Sequence, residues 1–255
     1  MAIHEICYGF NDMTCGDYIY AIYSSNTENV KALLDRGQDP YECDSDRNSP
    51  YFWASFRGDA EMIRAIANAQ KRVRGIEGLA PFHVKMAVSG LRPVYPELQF
   101  EVDKQFQRFV TLFDLVPDKN QLKNMLPEIL SEAVLHNADP HYVQFLVDHG
   151  ACPTHQMPAS GNTPIHQAAK DGRPDLLGPL LQKDSNVNAL NNEGKSPLRV
   201  AAEAVLISGL MPAHDCFRLL KEHRAMAVPS LTWRERLSLW QITRRRPSIQ
   251  SAESQ

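Results

Sequence analysis

Gly161-Asn162-Thr163-Pro164-Ile165-His166-Gln167-Ala168-Ala169-Lys170-Asp171-Gly172, closing on Leu180-Leu181, is the stretch that decides the fold. It returns as Gly194-Lys195-Ser196-Pro197-Leu198-Arg199-Val200-Ala201-Ala202. The offset is 33 residues, from Pro164 to Pro197 and from Ala168 to Ala201. A period of that size marks an array of one supersecondary unit, each copy hiding its apolar face only by stacking on a neighbour. Such a chain presents a surface more readily than it encloses a reaction.

Each part of the stretch has a local reason. Proline at the first helical position fixes φ and lacks a donor that the first turn leaves unpaired anyway, and the Thr163 hydroxyl can cap the free amides beside it. Ala168-Ala169 lets paired helices approach closely, and Gly172 supplies the turn between them. Leu176, Leu177, Leu180 and Leu181 recur at helical spacing as one apolar face. The pattern resembles the ankyrin repeat, whose signature is a Gly-x-Thr-Pro-Leu-His-x-Ala-Ala run opening a first helix and a Leu-Leu pair in a second.

Weaker copies follow in the same register. Ser49-Pro50 through Gly58 carries the start, the small pair and the turn, with Met62, Ile63 and Ile66 in the second helix. Ala21 precedes Leu33-Leu34 by the 12 positions that separate Ala168 from Leu180, which makes residues 17–45 the first repeat. Glu132-Ala133-Val134 with Phe145-Leu146-Val147 is another copy, lengthened near Ala138-Asp139-Pro140. Ala80-Pro81-Phe82-His83 imitates a helix start, but Lys85 falls where a small residue belongs. The third copy is therefore irregular, with a long second helix expected from Glu97 to Val116. After Ala202 the Leu219-Leu220 pair arrives six residues late, placing an insertion around Ser208 to Pro212. The expected architecture is an all-α ankyrin-repeat solenoid of about six repeats: 17–45, 46–76, 77–125, 126–158, 159–191 and 192–228. Residues 229–255 form a basic amphipathic helix and tail.

The 255 residues leave no room for a second domain of useful size, and 43% hydrophobic with 22% charged residues suits a folded chain. The apolar stretches are shorter than a membrane span needs, and Met1 to Glu5 lacks the opening of a secretory signal. Cys7, Cys15, Cys43, Cys152 and Cys216 are odd in number and scattered, which favours reduced thiols and a cytoplasmic setting, with the nucleus or, for a pathogen effector, the host cytoplasm as variants. Net charge is −3, of which residues 229–255 hold +3, so the repeats carry about −6 by subtraction. An acidic array excludes nonspecific nucleic-acid binding by the repeats, because phosphate contacts supply most of that affinity.

The resemblance implies a groove lined by hairpin tips and by outward positions of each first helix. The position before the small pair is Tyr20, Trp53, Glu132, Gln167 and Val200, and the one after it is Tyr23, Phe56, Leu135, Lys170 and Glu203. Aromatic rings and arginine dominate interface energetics, so Tyr20, Tyr23, Trp53, Phe56 and Arg57 are the first choice for protein contact. Gln167 and Lys170 extend that surface, and the hairpin tips Asp44, Asp46, Arg47, Asn191, Asn192 and Glu193 form its polar fringe. Were the rings free contacts, replacing Trp53 and Phe56 with Ala would abolish binding and leave the thermal midpoint nearly unchanged. The competing reading packs them against a neighbouring repeat.

No phosphate loop, paired-carboxylate motif or nucleophile elbow appears, so no catalytic residue and no cofactor are assigned. His149, Cys152 and His155 fall within seven residues, yet a structural zinc site needs a second ligand pair and none is evident, so no metal is expected. The resemblance gives His166 hydrogen bonds to loop backbone. In the tail, Trp233, Leu237 and Trp240 recur at i, i+4 and i+7 beside arginines. This helix reads first as a cap over the last repeat, and second as an amphipathic segment for an acidic partner or a membrane surface. Arg244-Arg245-Arg246 suits nuclear import, and Ser248 after Arg245-Arg246-Pro247 is a candidate phosphorylation site. The function expected is noncatalytic protein recognition by an adaptor, an inhibitor or a host-targeting effector. The alternative is an enzyme, or an enzyme subunit, with its site in the irregular 71–126 region.

Overall fold

The computed structural model describes residues 17–75, 79–89, 99–182, 185–208 and 211–244. Cys7, Cys15, Arg245, Arg246 and Ser248 lie outside them. Among the described residues every regular element is a helix. These are α1 (Asp17–Tyr23), α2 (Thr27–Asp35), α3 (Pro50–Arg57), α4 (Ala60–Arg74), α5 (Pro81–Ser89), α6 (Gln99–Leu115), α7 (Lys119–Leu135), α8 (Pro140–Asp148), α9 (Pro164–Lys170), α10 (Pro174–Leu181), α11 (Pro197–Ser208), α12 (Met211–Glu222) and α13 (Trp233–Arg244).

The helix starts follow the sequence chemistry. Proline opens α3, α5, α8, α9, α10 and α11. Ser49 Oγ accepts the Phe52 amide at 3.2 Å and Asp59 accepts the Met62 amide at 2.7 Å, so α3 and α4 begin on capped donors. At α9 the cap is reciprocal: Thr163 caps the His166 amide, while the Thr163 amide donates to His166 Nδ1 at 3.2 Å. The irregular third copy repeats half of this device, the Ala80 amide donating to His83 Nδ1 at 3.0 Å. The repeat boundary expected at 126 falls inside a helix. Asp118 accepts the amides of Asn120 and Gln121 at 3.0 and 2.9 Å, and this cap pulls the start of α7 back to Lys119.

Contacts divide the chain into two compact units, Met1–Met125 and Leu126–Gln255. In the first, α1, α3 and α5 lie side by side as one row, and α2, α4 and α6 as a second row behind it. Tyr18, Ile22, Val30, Tyr51, Ile63, Ile66, Val84, Phe109 and Leu112 fill the space between the rows and are essentially inaccessible. In the second unit α8, α10 and α12 are the rear row, α9 and α11 the front row, and α13 packs against α11 as the next front helix. Ile165, Ala168, Ala169, Leu176, Leu177, Leu180, Ala201, Ala202, Val205, Cys216 and Leu220 are buried between them. The Ala pairs and the Leu runs read from the repeat thus form the interior, each buried aliphatic side chain contributing about 1.5–3 kcal/mol by transfer alone.

The hairpins between repeats share one backbone geometry. The residue three positions before each helix-opening proline has positive φ: Arg47 at 65°, Gly161 at 66° and Gly194 at 68°. Gly161 is obligatory on two grounds, because a Cβ there would also stand 2.7 Å from the Asn192 amide nitrogen.

Candidate partner-binding surfaces

In the first unit, the expected contact residues separate into exposed and packed sets. Tyr20 is 59% exposed on α1, and Asp46 and Arg47 are exposed at the hairpin tip. Tyr23, Phe56 and Arg57 are half-buried: the Arg57 guanidinium stands 5.1 Å from the Tyr23 ring centre, and Phe56 packs edge-to-face on Phe52 at 5.2 Å. Trp53 departs from the expectation. It is 9% exposed, with Tyr23 and Phe52 edge-on at 5.6 and 5.2 Å, and its indole N–H donates to Asp44 Oδ2 at 2.8 Å. The repeat register turned this ring toward the surface, but a buried carboxylate one hairpin earlier holds it inside.

Asp44 organises the whole hairpin. It also accepts the Asp46 amide at 2.9 Å, the Asn48 amide at 2.8 Å and the Asn48 side-chain amide at 2.8 Å. Burial opposes its charge, yet these donors and the indole N–H outweigh burial and hold its carboxyl below the usual carboxylate range. The same position in the last hairpin is Asn191, whose Oδ1 accepts the amides of Glu193 and Lys195 at 3.0 Å each. Asn191 Nδ2 reaches Asn162 Oδ1 at 2.9 Å, which ties that hairpin to the one before it.

The second unit holds a depression of about 510 Å³ between α9, α11 and the hairpin tips. Val200, Ala204 and Ala213 give it an apolar floor, and Lys170, Glu193 and Lys195 a charged rim. Ile207, 86% exposed, stands at its edge. Sequence reasoning missed Ile207; the signal was an isoleucine nearly three turns beyond Pro197, off the face on which Leu198, Ala201, Ala202 and Val205 are buried. Lys195 bridges Glu193 at 2.7 Å and Glu203 at 2.9 Å, and its hydrogen bond first, then its charge, hold the Glu193 carboxyl below its ordinary range. Lys170 is exposed on this rim. Asn192 is exposed too, its amide bonding Ser160 O at 3.0 Å. Gln167 departs from the expectation of an open contact: it is 8% exposed and its side chain donates to Asp171 Oδ2 at 2.7 Å, one helical turn along.

His166 is fully buried, and its Nε2 lies 2.9 Å from Lys195 O in the next hairpin. Burial holds its pKa below the ordinary value, so the ring is neutral and structural, a strut between successive hairpins. His83 Nε2 reaches the other way, to Oγ of Ser49, the helix cap of the repeat before it, at 3.1 Å. His149 Nδ1 is committed to Phe145 O at 2.7 Å and Cys152 to Thr154, and among the described residues no cluster of three metal-ligating side chains forms. In the irregular region, α6 contributes Lys104 and Arg108 to a depression of about 260 Å³ shared with Arg57 and Asp59.

Helix α13 caps α11, but with the opposite face from the one its spacing suggested. Leu239 is 4% exposed, and Arg199 on α11 grips Glu235 with two hydrogen bonds of 3.0 and 2.8 Å. Thr232 and Glu235 close a capping box, the Thr232 amide donating to Glu235 at 2.7 Å and the Glu235 amide to Thr232 Oγ1 at 3.3 Å. Arg199 first, then these Thr232 donors, bring the Glu235 carboxyl down to about 2. The Thr-x-x-Glu motif was the sequence signal for the true docking face. Trp233, Leu237 and Trp240 point outward, 70%, 46% and 50% exposed. No helix among the described residues is long and apolar enough to cross a membrane.

Comparison with known proteins agrees with this geometry. The structure resembles the ankyrin repeat domain of Bcl-3, described as a unique member of the IkappaB protein family, with a TM-score of 0.61 at 19% identity over 89% of this chain and 99% of that one. It also resembles the human ASB11 ankyrin repeat domain, with a TM-score of 0.53 at 20% identity over 74% and 81% of the two chains. In sequence, 87 residues are 34% identical to Neurogenic locus notch homolog protein 4 from Homo sapiens, a match that spans 34% of this chain and 4% of that protein. Family models described as ankyrin repeats in three copies and in many copies match residues 130–228 and 18–66. With two-helix repeats in both units and these matches over more than half its length, the chain belongs to the ankyrin-repeat family.

Proposed function

We propose that this chain is a noncatalytic protein-recognition module, and that it captures a segment of a protein partner against the groove between α9 and α11. Ankyrin repeats generally mediate protein–protein interaction, and their fold is typically a noncatalytic module. The observation that carries the choice of surface is Ile207, an 86% exposed isoleucine beside an apolar floor ringed by charges of both signs. A large apolar side chain held in water next to a concavity is what a partner's core contact requires. Lys170, Glu193 and Lys195 then fix register and exclude partners of the wrong charge pattern. Adaptor, inhibitor and effector roles share this capture step. The free thiols of Cys43, Cys152 and Cys216 suit a reducing compartment such as the cytoplasm.

The test is affinity purification with the wild type beside Ile207→Asp and Lys170→Glu. The expected result is a protein recovered by the wild type and lost with both variants, whose melting temperatures stay at the wild-type value because both side chains are exposed. Recovery of the same protein by both variants would sink the assignment.

A second surface is favoured by one observation in the first unit. Arg47 occupies the left-handed position that glycine fills in the hairpins at Gly161 and Gly194, at a cost of about 1–2 kcal/mol. With Asp46 beside it and Tyr20 exposed on α1, the tip supports a polar contact for a partner of the first unit.

A further inference from the structure

The docking of α13 leaves an amphipathic face exposed, with Trp233, Leu237 and Trp240 in water. At 100° per residue, Trp233, Leu237 and Trp240 fall on one side of the helix, with Arg234 and Arg236 on its two shoulders. The opposite side carries Leu239 and Glu235, both engaged with the second unit. The single carboxylate of the helix is therefore neutralised by Arg199, and the outward side carries positive charge alone. Arg234 stands 5.4 Å from the Trp233 ring centre, and Arg236 Nε is bonded to Leu231 O at 3.1 Å, so both guanidinium groups are held at the margins of the apolar strip. The sequence continues with Arg245 and Arg246.

We propose that this face of α13 docks on an anionic phospholipid surface, lying in the plane of the headgroups. Three features favour a bilayer over a folded acidic protein. The strip is convex, built on one helix, and offers a partner protein no groove to fill. Its two exposed apolar rings are both tryptophan, the side chain whose amphipathic indole is most at home between headgroup and acyl chain. The cations flank the rings on both sides, where flexible stems let guanidinium groups meet phosphates while the rings enter the interface. A 12-residue helix held rigid by Leu239 and the Arg199–Glu235 pair need not be ordered on contact, which removes part of the cost of binding.

The test uses the full chain and two vesicle preparations, one of phosphatidylcholine alone and one with about a third phosphatidylserine. Cosedimentation with the anionic vesicles only, reversed by high salt and accompanied by a blue shift of tryptophan emission, is expected. The combined Trp233→Ala and Trp240→Ala variant should bind the same vesicles at least about tenfold more weakly. Its melting temperature should remain at the wild-type value, since both rings are at least half exposed. The Arg234→Gln, Arg236→Gln pair should show the same loss. Failure of the wild type to bind anionic vesicles, equal binding to neutral ones, or undiminished binding by the tryptophan variant would each overturn the proposal. So would a wild type that ignores vesicles and instead forms a stoichiometric complex with an acidic protein through Trp233 and Trp240.

Discussion

At the residue scale, one hydrogen bond decides what the most conspicuous aromatic residue of the chain does. The repeat register sends Trp53 to the contact surface. Asp44 is invisible to that register, because hairpin residues are read as a polar fringe, yet it offers a buried acceptor that the indole N–H cannot decline without losing its solvation. Trp53→Ala is therefore expected to cost about 3–5 kcal/mol, by cavity formation and lost edge-to-face packing. Asp44→Ala should cost about 2 kcal/mol by stranding the indole and the Asn48 and Asp46 amides. Urea titrations of the two variants and their double check this. If the pair is coupled as the geometry says, the double variant is less destabilised than the sum of the singles. What was legible here was the position of Trp53 in the repeat; what was not was the local partner that turns it inward. The capping histidine was more legible, since Thr163 and His166 lie three apart and need nothing from elsewhere to meet.

That histidine gives a pH dependence. Burial pushes the pKa of His166 below its ordinary 6.5, and His83 likewise. The unfolded chain then binds protons that the folded chain refuses, so stability is fully present above 6.5 and falls as pH drops from 6.5 toward the lowered folded values. Melting temperatures recorded from about pH 7.5 to about pH 5 should decline through this window. In His166→Gln the decline should be shallower, because one of the two histidines whose pKa burial lowers is gone. An equally steep decline in the variant would show that the proton is taken up elsewhere.

At the element scale, the helix pairs with Pro starts and Leu-rich second halves were readable because their capping and periodicity are local. The lengths of α7 and the docking of α13 were not. Asp118 is eight residues upstream of the expected repeat boundary at 126, and a cap that far ahead extends a helix without altering the repeat pattern. For α13 the spacing identified an amphipathic helix and a cap, but periodicity alone cannot say which side faces the protein when the other side holds a capping box and an ion pair. The consequence is measurable. Leu239→Ala removes the side chain that anchors α13 on α11 and should cost about 2–4 kcal/mol of docking. Hydrogen exchange in α13 should accelerate while α9 and α10 keep their protection. Trp233→Ala should leave exchange in α13 nearly unchanged. Reversal of that order, with Trp233 protecting the helix and Leu239 not, would return the aromatic face to the cap role the sequence suggested.

At the scale of the whole chain, repeat arithmetic predicts where the protein can be divided. In stacked repeats each copy touches only its neighbours, so stability is close to a sum of repeat and interface contributions. The described contacts are concentrated within Met1–Met125 and within Leu126–Gln255, and the second unit holds the two copies with the closest match to the repeat together with the α13 cap. A cut at the unit boundary would sever α7, so the fragment should begin at residue 117, ahead of the Asp118 cap. A chain of residues 117–255 is expected to fold alone, melting in one cooperative transition and retaining the helix content of α7 to α13. The complementary fragment, 1–116, lacks both a capping helix after α6 and the paired copies of strongest repeat character. It should melt lower and more broadly. Circular dichroism melts of the two fragments beside the full chain decide it, and a second-unit fragment without a cooperative transition would mean that its repeats depend on those before them.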